Sequence, residues 1–203
     1  MAGLMAAHRF LHLARHGDAV DDGDLSPDGR EQATLLGRRL SRLPVAAVHH
    51  GPLPRAAQTA AIVAAHLPGV PVHAAPEAGD YVPPVPDPAA LPEPYARFLA
   101  GVTPDEYAHG AELAAAAIAR HAHPDGPPHE LIITHSFTVA WFVRHALSAP
   151  DARWIGLNAA NTGLTTILYR PDRPPALVAF NDLSHLPQRL RWTGFPPGTA
   201  PPV

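Results

Sequence analysis

Short apolar runs alternate with helical stretches along the whole chain, and this alternation limits the fold more than any single motif does. Four runs are strand-like: "RFLHLA" (9–14), "VAAVHH" (45–50), "VPVHAA" (70–75) and "HELIITH" (129–135). Between the first two, Ser26 followed by Pro27 is a helix N-cap with proline at the first helical position, opening a helix through "DGREQATLLGRRLSRL". "LPRAAQTAAIVAAHL" (53–67) is an alanine-rich helix stopped by Pro68 and Gly69. Helical character returns over 95–122, with a break near 101–104, and again in "FTVAWFVRHALS" (137–148). The unbroken apolar character of "LIIT" suits a strand covered on both faces. "TGLTTILYR" (162–170) and "PALVAFND" (175–182) predict a β-hairpin across "PDRP". The pattern predicts an α/β fold: a three-layer αβα sandwich on a mostly parallel, mixed sheet that ends in a C-terminal hairpin.

The 203 residues are enough for one domain with a substantial core, expected over 1–193. Two stretches depart from globular composition. "VPPVPDPAALPEP" (82–94) predicts a stiff proline-rich insert, and the tail from Gly194, "GFPPGTAPPV", is expected to be mobile. There is no cysteine, which excludes a disulfide framework and any thiolate site. The formal charge of −3, with arginine as the sole strongly basic residue type, gives no footprint for nucleic acid. The start, "MAGLMAAHRF", lacks the features of a signal peptide, and no apolar run is long enough to span a bilayer. A cytoplasmic protein with no membrane partner is the expectation.

Function is sought where strands of such a sheet end, because ligands bind outside their carboxyl ends. The first strand delivers Arg15 and His16 at a glycine; the second runs into "GPLPR", which sets Arg55 in the first turn of a helix. The third leads to Glu77 and Asp80, and the fourth to His135 just before a helix. Two arginines, two histidines and a carboxylate thus meet at one edge. Guanidinium forks donate paired hydrogen bonds to phosphate oxygens, and a helix N-terminus adds backbone N–H groups for the same anion. Nearby positive charge keeps an imidazole neutral and able to attack phosphorus, while a carboxyl group can protonate the departing oxygen.

The ordered set "LARHGDA", "LSPDGREQA", "GPLPRAAQTA", "LIITHS" and "FNDLSHL" resembles the histidine phosphatase superfamily, also called phosphoglycerate mutase-like, over about residues 9–187. The resemblance implies that His16 is the nucleophile and forms a phosphohistidine intermediate. It implies that Arg15, Arg55 and His135 hold the phosphoryl group. Laying "VPVHAAPEAGDY" on the family's acid-bearing segment puts Asp80 rather than Glu77 at the proton donor, a departure because that donor is usually glutamate. The opening "RHGDAVD" lacks the forms typical of large acid phosphatases and of cofactor-dependent mutases. It looks more like small phosphatases, while the region from "ELIITHS" onward is similar to a protein-serine/threonine phosphatase branch.

The expected activity is therefore metal-independent hydrolysis of a phosphomonoester, with no cofactor, on a phosphorylated small molecule or a phosphoprotein. The alternatives are a mutase-like phosphotransferase and a non-catalytic phosphate-binding module. The proline-rich insert and Tyr81, Tyr95, Phe98 and Tyr107 are expected to wall the site. Asp182 and His185 of "FNDLSHL" are expected to be structural. "HAHPDGPPH" (121–129) is discounted as a metal site because it falls at the opposite strand ends and lacks a carboxylate pair.

Overall fold

The computed structural model describes residues 8–21, 23–85, 91–195 and 198–199. Six strands form one sheet in the order β3-β2-β4-β1-β5-β6. These are β1 (Arg9–Arg15), β2 (Ala47–His50), β3 (Val72–Ala74), β4 (His129–Thr134), β5 (Leu164–Arg170) and β6 (Arg173–Asp182). β1, β2, β3 and β4 pair in parallel, with Ala14 opposite Ile133 and His50 opposite both Ile133 and Ala74. β5 runs antiparallel to β1 and closes the hairpin with β6. The mixed sheet has the expected α/β character, and "LIIT" lies in its interior between β2 and β1.

The helices are α1 (Pro27–Leu40), α2 (Pro54–Ala64), α3 (Glu93–Leu99), α4 (Pro104–His121) and α5 (Ser136–Ala146). One face of the sheet packs Ala14, Val48, Leu131, Ile133 and Leu164 against Leu36 and Leu40 of α1 and Ala56, Ala60 and Val63 of α2. The other packs Leu11, Leu13, Ile132, Ile167 and Tyr169 against Ala117 of α4 and Val139, Phe142 and Val143 of α5. Successive strand residues thus serve opposite layers, which is why the parallel strands are apolar throughout. The expected break near 101–104 separates α3 from α4, whose start is a reciprocal capping box between Thr103 and Glu106.

Two sequence boundaries shift. Residues 86–90 of the proline-rich insert lie outside the described residues, as do 196–197 and 200–203 of the tail. The tail was expected to be mobile from Gly194, but the Gly194 carbonyl accepts from Arg15 Nη1 at 2.7 Å, and Trp192 and Phe195 pack beside Ala160, Leu183, Leu186 and Leu190. Apolar side chains and this hydrogen bond hold the described start of the segment on the body. Among the described residues, no helix is long and apolar enough to cross a membrane.

Candidate active site

The loop after β1 is built by close backbone packing. A Cβ on Gly17 would stand 2.5 Å from the Gly29 carbonyl oxygen, and one on Gly29 would stand 2.0 Å from that of Asp18. Two glycines thus let the first turn of α1 lie directly on the loop. Ser26 Oγ caps α1 by accepting from Gly29 N at 3.0 Å and donates to Asp18 Oδ2 at 2.7 Å. Gly17 N donates to Thr59 Oγ1 at 3.0 Å, and Asp18 N to Gln32 Oε1 at 2.9 Å. The Gln32 amide donates in turn to Leu190 O and Thr193 Oγ1.

His16 is buried and its tautomer is determined by its neighbours. Nδ1 lies 2.7 Å from the Gly17 carbonyl, which only accepts, so Nδ1 carries the hydrogen. Arg55 Nε donates to Nε2 at 3.1 Å, which requires a lone pair there. Burial, the His135 ring and the Arg15 and Arg55 guanidiniums lower the His16 pKa to about 3, against the pull of the Gly17 carbonyl. The ring is neutral at physiological pH, with its basic nitrogen among cations.

His135 lies 5.0 Å from His16, ring centre to ring centre. It is the N-cap residue of α5, and both of its ring nitrogens are buried without a hydrogen-bond partner. Burial, then Arg55 and Arg15, lower its pKa to about 3. Arg15 Nη1 is oriented by the carbonyls of Ala159, at 2.9 Å, and Gly194. Gly194 sits at φ +83°, and a Cβ there would meet Asn161 Oδ1 at 2.5 Å and Arg15 Nη1 at 2.6 Å.

Asp80 reaches this group and Glu77 does not. Asp80 Oδ2 is 2.9 Å from Arg55 Nη2 and 3.4 Å from His135 Nδ1, with its side chain 40% exposed. Glu77 turns the other way, toward Arg120 Nη1 at 2.8 Å and His121 Nε2 at 3.3 Å. Burial opposes ionisation of Glu77, but hydrogen bonding to its own backbone, the Arg120 charge and the hydrogen bond with His121 hold its carboxyl below the usual range. Two hydroxyls at the end of β4 and the start of α5 set the turn before Asp80: Thr134 Oγ1 donates to Ala78 O at 2.7 Å, and Thr138 Oγ1 to Gly79 O at 2.8 Å.

All five residues predicted from the strand ends, Arg15, His16, Arg55, Asp80 and His135, line one open cavity of about 730 Å³. Sequence reasoning missed Thr59, Thr134, Thr138, Asn161 and Gly194. Asn161 Nδ2 donates to the His16 carbonyl at 2.9 Å. The threonines lie within or beside recognised segments, yet a hydroxyl's partner is set by the fold, so only their position beside Arg55 and His135 was a signal. Of the expected aromatic walls, Tyr95 and Phe98 line the cavity, joined by Phe137, Trp154, Ile155 and Leu157. Tyr81 and Tyr107 do not. Tyr81 is buried with its hydroxyl on the Glu77 carbonyl, and Tyr107, on α4, is partly buried and packs with Val82, Val85 and Val102.

Asp182 and His185 meet Arg39 at 2.5 Å and 3.4 Å, which ties the end of β6 to α1. Among the described residues, His49, His121 and Glu130 have donor atoms close enough for one metal ion. Arg9 forms an ion pair with Glu130, and His49 and His121 contact Glu130 and Glu77, so these residues form a buried polar network between strands and α4. A guanidinium already on the carboxylate opposes a second cation there.

The model of the histidine phosphatase superfamily, branch 1, matches residues 11–81, which hold Arg15, His16, Arg55 and Asp80. "Serine/threonine-protein phosphatase Pgam5, mitochondrial" of Caenorhabditis elegans is 31% identical over 89% of this chain and 65% of its own length. Its Caenorhabditis briggsae counterpart is 30% identical over 92% of this chain and 68% of its own length. The chain belongs to the histidine phosphatase superfamily. It spans about two thirds of the length of these two relatives. Among solved structures, the α-ribazole phosphatase of Shigella flexneri superposes with a TM-score of 0.68 at 19% identity, covering 85% of this chain and 96% of that one; this likeness is one of fold. The relatives' names overturn the expectation of a cytoplasmic protein. That expectation rested on the lack of a signal-peptide pattern and of a bilayer-spanning run in the sequence, and neither separates the cytoplasm from a mitochondrial compartment.

Proposed function

We propose that the chain is a phosphatase that hydrolyses a phosphomonoester through a phosphohistidine on His16. One observation carries this reading: the His16 ring is held neutral with its Nε2 lone pair on Arg55 Nε, beside Arg15 and a buried His135 whose ring nitrogens make no hydrogen bond. In the first step Nε2 bonds to phosphorus as the bond to the ester oxygen breaks. Arg15, Arg55 and His135 take the equatorial oxygens, whose charge they stabilise through the transition state. Asp80, carrying a proton in this step, passes it to the departing alcohol oxygen and is left ionised. In the second step the ionised Asp80 takes a proton from water as the water oxygen displaces His16 Nε2 from phosphorus. Inorganic phosphate leaves and the neutral imidazole is restored.

Hydrolysis is favoured over transfer to a second hydroxyl because Asp80 faces an open cavity, so water reaches the phosphohistidine. The test is release of phosphate from an aryl phosphate by wild type and His16→Ala, each with and without a chelator. Chelator-resistant release that falls by at least about 10³-fold in His16→Ala is expected. Release unchanged in that variant would sink the reading, and phosphate moved to an added alcohol without free phosphate would favour the transferase alternative. The relatives' names make a phosphoprotein a candidate substrate beside small phosphomonoesters.

A further inference from the structure

The basic end of the cavity takes one phosphoryl group, and the remainder has a different chemistry. Three separate segments bring aromatic or branched side chains to it: Tyr95 and Phe98 from α3, Phe137 from the first turn of α5, and Trp154, Ile155 and Leu157 from the turn after α5. Phe98, Phe137 and Trp154 form a triangle with ring centres 5.0 to 6.4 Å apart. Trp154 is braced from behind by a hydrogen bond from Nε1 to Pro84 O at 3.3 Å. Phe98 nevertheless remains 54% exposed, an unusual state for a phenylalanine packed on two other rings.

Charge is arranged in the opposite sense. Among the described residues lining the cavity, the fixed cations are Arg15 and Arg55, both at the phosphoryl end. Arg153, on the turn that carries Trp154, donates to Tyr95 Oη at 3.1 Å. A second carboxylate on a substrate would thus meet a largely apolar lining in which the acidic residue is Asp80, with Arg153 engaged outside it on the Tyr95 hydroxyl, a costly placement without a paired cation.

We infer that the apolar end is a leaving-group subsite for an aromatic body, so that the substrate is a phosphomonoester of an uncharged aromatic alcohol rather than of a second acid. This deepens the phosphatase reading and rests on it. The aromatic ring stacks against Phe98 and Phe137 while the phosphoryl group lies between Arg15 and Arg55. Rings prefer offset or edge contacts of this kind, which add to the gain from burying their area.

Calorimetry with non-hydrolysable phosphonates tests the subsite without the bias of leaving-group reactivity. Benzylphosphonate is expected to bind about tenfold or more tighter than methylphosphonate, with 3-phosphonopropionate no tighter than methylphosphonate. Phe98→Ala, on the cavity surface, should bring the benzyl preference below about threefold and leave methylphosphonate unchanged. Phe98→Arg should instead raise affinity for 3-phosphonopropionate. Equal affinity for the benzyl and methyl compounds, or tightest binding of the carboxylate, would overturn the inference. Because binding is read without turnover, a failure of His16-dependent hydrolysis counts against the phosphatase reading alone. Turnover separates the sources of the aryl group: phenyl phosphate ahead of a phosphotyrosine peptide assigns a small molecule, and the reverse assigns a protein side chain. A phosphoserine peptide ahead of both would overturn the inference.

Discussion

At the scale of single residues, direction as much as reach separates the two candidate carboxylates. Glu77 is the longer side chain and lies three residues away, but its turn faces α4, where Arg120 and His121 hold it. Asp80 is shorter and sits within 2.9 Å of Arg55. A proton donor matters most where the departing oxygen is a poor leaving group. Asp80→Asn is therefore expected to cost about 10²–10⁴-fold in kcat/KM on alkyl phosphates and much less on nitrophenyl phosphate. A leaving-group series reads this as a steeper slope in the variant, and parallel slopes would remove Asp80 from the proton step.

At the scale of elements, the site depends on how two helices meet two strand ends. The α1 cap was legible from Ser26-Pro27, but its second role, holding Asp18 in the loop after β1, was not, because the partner lies eight residues back across a turn. Ser26→Ala removes both hydrogen bonds and is expected to cost about 1 kcal/mol, read as a lower urea midpoint at unchanged slope. α5 makes the complementary contribution: its N-terminus places His135 opposite His16, and Thr138 in its first turn sets the backbone before Asp80. The aromatic wall was half legible. Tyr95 and Phe98 occupy the cavity, whereas Tyr81 is buried beside Glu77 and Tyr107, on α4, is partly buried against Val82, Val85 and Val102, a choice made by packing and not by residue type.

At the scale of the molecule, the fold holds an unusual number of neutral buried histidines. Burial lowers His12, His121 and His185 to about 4, and His16 and His135 to about 3. Each is depressed below its unfolded value of 6.5, so the unfolded chain takes up these protons first as pH falls. Stability is thus full above about pH 6.5 and is lost progressively as pH falls toward 3–4, by up to about 1.4 kcal/mol per pH unit for each group. Urea midpoints stepped from pH 7.5 to 5 should fall. The fall should be shallower in His185→Gln, which removes one such group away from the cavity. A midpoint flat with pH would show that these rings do not unfold as neutral species.

Sequence alone determined the order of strands and helices and the four strand ends that bring Arg15, His16, Arg55 and His135 to one cavity. Period, caps and apolar runs are local properties, and in a parallel sheet the strand ends necessarily share one edge. Tertiary structure decided the rest. It directed Asp80 toward Arg55 and Glu77 away, left the ring nitrogens of His135 without a hydrogen bond, brought Gly194 back onto Arg15, and chose which aromatic rings line the cavity. Each of these depends on the rotation of one element against another, which is set by packing between residues far apart in the chain and leaves no mark on either segment read by itself.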